Sequence, residues 1–430
     1  MDILRIEGGR PLHGSLRVPG SKNASLAILS SVVLAQDPVV LHNVPNVRDT
    51  RVMSDLLELF GARVEWNGDS ISIDCSEIHP AKLDPEVARQ IRTSFYLLGP
   101  LLARLGHAAI PAPGGCRIGA RPVDFHLNGL GRLGAVIDLD MGEYVGRTDG
   151  LKGADLYLDF PSAGATQHLM ATATMAEGVT VIHNGAIEPE VVVLAEFLNN
   201  LGARIEGAGT GIITVTGVSR LHGRPFHIPS DRLQAGTYML AGAITRGEVT
   251  VNGILPESQS ALTSKLKESG AKVVEGNDWI RVSSDRRLDA INVKTMPYPG
   301  FPTDMQQPMA AVLTLADGVS VVEETIYESR IGHVPELNRM GAKIRLEGRS
   351  AVITGVEHLK GANLEASDLR AGAALSLAAL AAEGESYIRN VHFIDRGYQD
   401  FESQLRSLGA VIERIPASES PILEHSEVRP

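Results

Sequence analysis

Phe60-Gly61-Ala62-Arg63-Val64-Glu65-Trp66 closes one amphipathic run and opens a strand-like one. The same junction returns as LGAVIDL at 133–139, LGARIEG at 201–207, SGAKVVE at 269–275, MGAKIRL at 340–346 and LGAVIER at 408–414. The six Gly-Ala pairs, at Gly61, Gly134, Gly202, Gly270, Gly341 and Gly409, stand 68 to 73 residues apart. Spacing that regular predicts a sixfold internal repeat. With 430 residues one core is too few, so two domains are expected.

The first copy gives the unit. GSLRVPG (14–20) alternates like a strand, and SKNASLAILSSVVLA (21–35) reads as a helix of small and aliphatic residues with Ser21 as its N-cap. VVLHNV (39–44) is a second strand. A second helix begins near Asp49, with Met53, Leu56, Leu57 and Phe60 on one face and Gly61 as a left-handed cap. ARVEW and SISID then form a hairpin. The unit is strand, helix, strand, helix, strand, strand, and the other five copies are expected to repeat it. The first helices of later copies (162–176, 233–245 and 369–382) stay rich in Ala, Gly and Thr, which predicts burial on all sides.

Distances from the Gly-Ala pair locate functional groups. Lys22, Arg92, Ser162, Asp231, Asp304 and Arg370 lie 37 to 42 residues upstream, at first-helix starts. Asp49, Arg121, Glu188, Glu257, Arg330 and Arg396 lie 11 to 14 residues upstream, near second-helix starts. Asp, Ser and Glu in such places commonly cap helices. Lys and Arg oppose the helix dipole there. Lys22, Arg92, Arg121, Arg330, Arg370 and Arg396 are therefore read as anion ligands, with solvated surface charge as the alternative.

The second copy carries an unusual segment, PAPGGCRIGARPVDFH (111–126), whose Pro and Gly predict an irregular lid. Cys116 sits in it beside Arg117, and neighbouring cations favour a reactive thiolate; the alternative is a spectator cysteine. Cys75, in a strand-like run, reads as inert. Two cysteines make no disulfide framework, which suggests a reducing cytoplasm. The net charge of -11 argues against a nucleic-acid binder. The longest apolar helical run, 371–382, is too short for a bilayer, and MDILRIEGG does not read as a secretion signal. No metal-ligand spacing, phosphate loop or nucleophile elbow occurs, so no cofactor is expected. GAGTG at 207–211 reads as a hairpin turn, and 417–430 as a loose tail.

SKNASL, RTSFYLLGPLLARLG, PGGCRIGARPVDFH, FPSAGAT, FPTDMQQP, HVPELNRMGA, DLRAGAAL and HFIDRGY occur in that order. On these motifs, from residue 1 to about 415, the chain resembles the UDP-N-acetylglucosamine 1-carboxyvinyltransferase family, the enolpyruvyl transferases that open bacterial peptidoglycan synthesis. The resemblance implies two inside-out α/β domains of three repeats each, 22–229 and 1–21 plus 230–416, with ligands in a cleft. It implies phosphoenolpyruvate at Lys22, Asn23, Arg121 and Arg396, with Arg92 nearby. The UDP-sugar would lie along Arg121, Pro122, Val123, Asp124, Phe125, Ser162, Ala163, Gly164, Asp304 and Ile326, and Arg330 and Arg370 would complete the anion-binding surface. Cys116 is expected as the general acid, Asp304 as the base, and alkylation by fosfomycin at Cys116.

Departures from the family pattern are Gln234, where Glu is usual, and Ser329 and Ile331 around YESRI. The alternatives are a related transferase using 3-phosphoshikimate or another nucleotide, and a non-catalytic UDP-sugar-binding paralogue. The cysteine segment argues against a 3-phosphoshikimate transferase; one using another nucleotide stays open.

Overall fold

The computed structural model describes residues 2–113, 118–119 and 122–419. Cys116 and Arg121 lie outside the described residues. Among those described, the chain divides into two compact α/β units, one of 2–18, 118–119 and 231–419 and one of 19–113 and 122–230.

Each unit carries three small sheets. The strand Val293–Lys294 runs parallel to Val319–Glu323, which pairs antiparallel with Ser350–Thr354, itself antiparallel to Lys343–Glu347. Val322 faces Ala351 and Ile344 faces Ile353 in that register. The alternation sends every second side chain to the core.

Three departures from the simple repeat appear. First, copies one and four exchange opening strands. His13–Arg17 pairs with Glu248–Asn252, and Phe226–His227 pairs with Val39–His42. The chain therefore changes unit just after each of these strands, and the divisions fall at 18/19 and 230/231 rather than at the expected 21/22 and 229/230. Second, the sixth copy takes a strand from the N-terminus, in the order Asn363–Glu365, Glu385–Arg389, Asp2–Glu7, Val411–Pro416. Third, the second copy has a three-stranded sheet, because its opening segment folds as the short helix Pro85–Ala88 and the 3-10 turn Arg92–Leu97. Asp84 caps that helix and Pro85 begins it, which favours helix over strand. Of the tail expected at 417–430, Ala417–Glu419 forms a 3-10 turn, and the rest lies outside the described residues.

The Gly-Ala pair works the same way six times. Each glycine has φ between +86° and +105°. Its N–H, and that of the alanine after it, bond back to carbonyls of the helix just ended: Gly341 to Asn338 at 3.0 Å and Ala342 to Leu337 at 3.2 Å. Glycine reaches this backbone without the Cβ penalty. Ala62, Ala135, Ala271, Ala342 and Ala410 are all buried, so a small side chain suits the next position.

The cores surround the first helices. Leu233 to Ile244 in the helix Arg232–Ile244, all of Gln306–Leu313, and Arg370 to Leu380 in Leu369–Ala381 are buried. In the other unit Lys22–Ser31, Leu98–Leu105 and Ala163–Ala173 play the same part. The second helices are amphipathic: in Arg48–Leu59, Met53, Leu56 and Leu57 are buried while Leu59 is exposed. A fully buried Leu contributes about 1.5–3 kcal/mol, so these stripes hold the sheets around each core.

Candidate active site

In the unit containing 231–419, FPTDMQQP places Asp304 in the 3-10 turn Thr303–Met305 that leads into Gln306–Leu313. Arg330 lies in the turn before His333–Arg339, and Arg370 is the second residue of Leu369–Ala381. The three meet. Arg330 Nη1 lies 2.8 Å from Asp304 Oδ1, and Arg370 Nη2 lies 3.1 Å from Asp304 Oδ2. Both guanidiniums are almost fully buried, while the Asp304 side chain keeps 26% of its exposure. Removing one partner of such a group leaves a buried charge, at a cost of about 3–5 kcal/mol.

Neutral and acidic groups fix the two arginines. Arg370 Nη1 donates to the Tyr398 hydroxyl at 3.0 Å. Thr237 Oγ1 donates to the Leu233 carbonyl, so the 2.8 Å bond between Tyr398 and Thr237 runs from the tyrosine. Burial alone would lower the Arg370 pKa, but Tyr398, Asp304 and Asp231 overcome it and hold the guanidinium above its ordinary value. Arg330 Nη1 also donates to Thr303 Oγ1 at 2.9 Å, and Thr303 donates to Glu324 at 2.8 Å. Glu324 is buried and accepts from Thr295 Oγ1 and from the N–H groups of Ile326 and Tyr327. That acceptor holds the segment bearing Ile326. Arg330 Nε and both ring nitrogens of buried His333 have no protein partner among the described residues. Burial pushes the His333 pKa down to about 4, with Asp368 and Arg330 acting in opposite senses.

Arg396 ends the 3-10 segment Val391–Arg396, which packs on the helix Leu369–Ala381. Arg414 grips its neighbour Asp395 with two nitrogens, at 2.7 and 3.0 Å, and reaches Glu402 at 2.6 Å. Ile118 is buried, and its carbonyl accepts from the Ser329 N–H at 3.1 Å. Gln234 is fully buried, and neither its amide atoms nor the hydroxyl of Tyr238 one turn on has a partner among the described residues. A neutral amide there needs no counter-charge.

In the other unit Lys22 opens Lys22–Ser31, with Ser21 as N-cap accepting from the Ala24 N–H at 3.3 Å. Lys22 Nζ lies 3.5 Å from Asp49 Oδ2, and both side chains are largely buried. Asn23 follows, half-buried at the same helix end. Arg92 begins the turn Arg92–Leu97 and is half-buried. Pro122 and Asp124 are exposed, Val123 and Phe125 pack against the core, and Asp124 starts Asp124–Arg132. Ser162 caps Ala163–Ala173, accepting from the Ala165 N–H at 3.3 Å. Ala163 and Gly164 form its first turn, where a Cβ on Gly164 would strike the Tyr96 hydroxyl. Cys75 is buried, which pushes its thiol up to about 12 with help from Asp74, so it is a poor nucleophile.

Asp304 and Arg330 of copy five and Arg370 of copy six are thus brought together. Tyr398, Thr303, Glu324 and Arg414 were missed in the sequence; Thr303 and Tyr398 were legible only as neighbours in FPTDMQQP and HFIDRGY. Among the described residues no cluster of metal-ligating side chains occurs and no helix is long and apolar enough to cross a membrane.

Residues 6–405 match the family model described as EPSP synthase (3-phosphoshikimate 1-carboxyvinyltransferase). The chain is 48% identical over 410 residues to a UDP-N-acetylglucosamine 1-carboxyvinyltransferase of Halothermothrix orenii, covering 95% of this chain and 99% of that one. It is 46% identical over 420 residues to one of Gloeobacter violaceus, covering 97% and 92%. Among solved structures, the enolpyruvyl transferase NikO from Streptomyces tendae superposes with TM-score 0.87 at 26% identity, covering 96% of this chain and 99% of that one. An EPSP synthase from Acinetobacter baumannii shares the fold, with TM-score 0.76 at 20% identity over 97% and 100% of the two chains.

Proposed function

The chain belongs to the UDP-N-acetylglucosamine 1-carboxyvinyltransferase family, and from that premise we propose that it joins the enolpyruvyl group of phosphoenolpyruvate to the 3'-hydroxyl of UDP-N-acetylglucosamine. The observation that carries the reading is Asp304 held between Arg330 and Arg370 on a chain matched almost end to end by enzymes of that name.

The hydroxyl oxygen adds to C2 of phosphoenolpyruvate while a proton goes to C3; phosphate then leaves C2 as a proton is lost from C3, restoring the double bond. Asp304 takes the hydroxyl proton and Cys116 supplies the one for C3, each in the role of a positioned acid or base. Lys22, Arg121 and Arg396, with Asn23 and Arg92 beside them, carry the phosphate and carboxylate of phosphoenolpyruvate. Pro122 to Phe125, Ser162 to Gly164 and Ile326 flank the UDP-sugar. Arg330 and Arg370 stabilise charge as it moves among the oxygens, where planar guanidiniums suit carboxylate and phosphate.

This reaction would be the committed step of cell-wall synthesis, carried out in the cytoplasm and linked through the wall to cell division. Fosfomycin should add to Cys116 and spare buried Cys75. The test is phosphate release from phosphoenolpyruvate with UDP-N-acetylglucosamine, using 3-phosphoshikimate as the control acceptor. Release with the nucleotide sugar alone is expected. Release with 3-phosphoshikimate alone, or none from folded protein, would overturn the reading.

A further inference from the structure

One buried hydrogen-bond chain ties together three segments near the expected sugar-nucleotide residues. The Gly99 N–H, in Leu98–Leu105, donates to His168 Nε2 at 2.8 Å. His168 Nδ1 lies 2.9 Å from His126 Nδ1. His126 is two residues past Asp124 in Asp124–Arg132, and His168 is one turn past Gly164 in Ala163–Ala173. The rings are packed by Phe95, edge-on to both at 5.5 and 5.8 Å, and by Tyr96, stacked on His168 at 5.8 Å with 13° between planes. The approach of Gly99 is tight enough that a Cβ there would collide with Thr172 and His168.

The backbone N–H can only donate, which fixes the protons. His168 Nε2 must accept and be bare, so His168 carries its proton on Nδ1. That proton is donated to His126 Nδ1, leaving His126 protonated on Nε2. Burial pushes the His168 pKa down to about 3, consistent with a neutral ring. Such a chain sets distance as well as packing: an apolar pair could fill the volume but not tie the Gly99 backbone and the two histidine-bearing helices together through hydrogen bonds.

We propose that the His126–His168 pair is a positioning device that sets the spacing of Pro122–Phe125 and Ser162–Gly164, and through it the affinity for the sugar nucleotide. The proposal rests on the functional reading above, which assigns those two segments to the UDP-sugar. Both histidines act through other residues and touch no reacting atom.

Histidine ¹⁵N shifts of the full-length protein are expected to show His168 protonated on Nδ1 and His126 on Nε2; the opposite tautomers would overturn the chain. His168→Leu removes both hydrogen bonds. It is expected to shift the amide resonances of Phe125 and Gly164 and to raise KM for UDP-N-acetylglucosamine about tenfold. KM for phosphoenolpyruvate is expected to stay within about twofold. His168→Gln, whose amide accepts and donates, should recover most of the loss. If His168→Leu does not fold, His126→Leu, which leaves the Gly99 bond intact, carries the same expectation. Lower thermal stability with unchanged KM and resonances, or an equal rise in both KM values, would reduce the pair to core packing. A wild type inactive with both acceptors would sink the functional reading, while the tautomers and amide shifts would still decide the hydrogen-bond chain.

Discussion

Copies one and five build the same ion pair with opposite polarity. In copy one the first-helix start carries the cation and the second-helix start the anion: Lys22 faces Asp49 at 3.5 Å. In copy five Asp304 stands at the first start, and Arg330, just ahead of the second helix, faces it at 2.8 Å. Copy six then adds Arg370 to Asp304. One scaffold position thus offers an ammonium in one unit and a carboxylate in the other. The first suits an anionic substrate, and the second offers a carboxylate whose charge two guanidiniums balance.

The largest expected effect comes from breaking the copy-five pair at its carboxylate. Asp304→Asn keeps the shape but not the proton acceptor, so kcat should fall by roughly 10²–10⁴ while folded protein still binds the nucleotide sugar. Steady-state kinetics with a binding titration check this; near-normal kcat would remove Asp304 as base. Next, Arg370→Met deprives Tyr398 and Asp304 of a buried partner and should lower stability by about 3–5 kcal/mol. Lys22→Met, at the pair with the longer 3.5 Å contact, should cost less stability but raise KM for phosphoenolpyruvate by about tenfold or more. Chemical denaturation beside kinetics separates the two, and equal stability losses would erase the contrast.

A smaller effect concerns pH. His168 and His333 are held neutral by burial, with folded pKa values of about 3 and about 4 against an ordinary 6.5. The unfolded chain binds more protons, so their contribution is whole above pH 6.5 and is lost as pH falls from there toward the folded values. His168→Gln should flatten the fall in stability over that window, and an unchanged slope would contradict the assignment. Smallest is Gly341→Ala: φ is +94° with open space around the Cβ, so backbone strain alone should cost about 1 kcal/mol in a melting experiment.

The repeat was legible because its signal is local. A glycine at positive φ followed by a small buried residue is needed wherever an amphipathic helix turns directly into a strand. Strand exchange was not legible in the repeat itself, since nothing in GSLRVPG says whether it pairs with Val39–His42 or Glu248–Asn252; only the family resemblance, which set 1–21 with 230–416, implied it. The missing strand of copy two was hidden too, because the repeat rule was extended over a segment whose Asp84-Pro85 start favours a helix. Charge at helix starts led to Asp304, Arg330 and Arg370. Tyr398, Glu324 and the two histidines escaped because buried polar residues gain meaning from partners far away in sequence.

The most direct test of the central claim is the mass of the nucleotide product after incubation with phosphoenolpyruvate and UDP-N-acetylglucosamine, beside the same reaction with Asp304→Asn. A nucleotide sugar carrying one enolpyruvyl unit, formed with equal phosphate by the wild type and greatly reduced in the variant, is the predicted result. Unmodified UDP-N-acetylglucosamine from folded wild-type protein, or equal product from both proteins, would contradict the account.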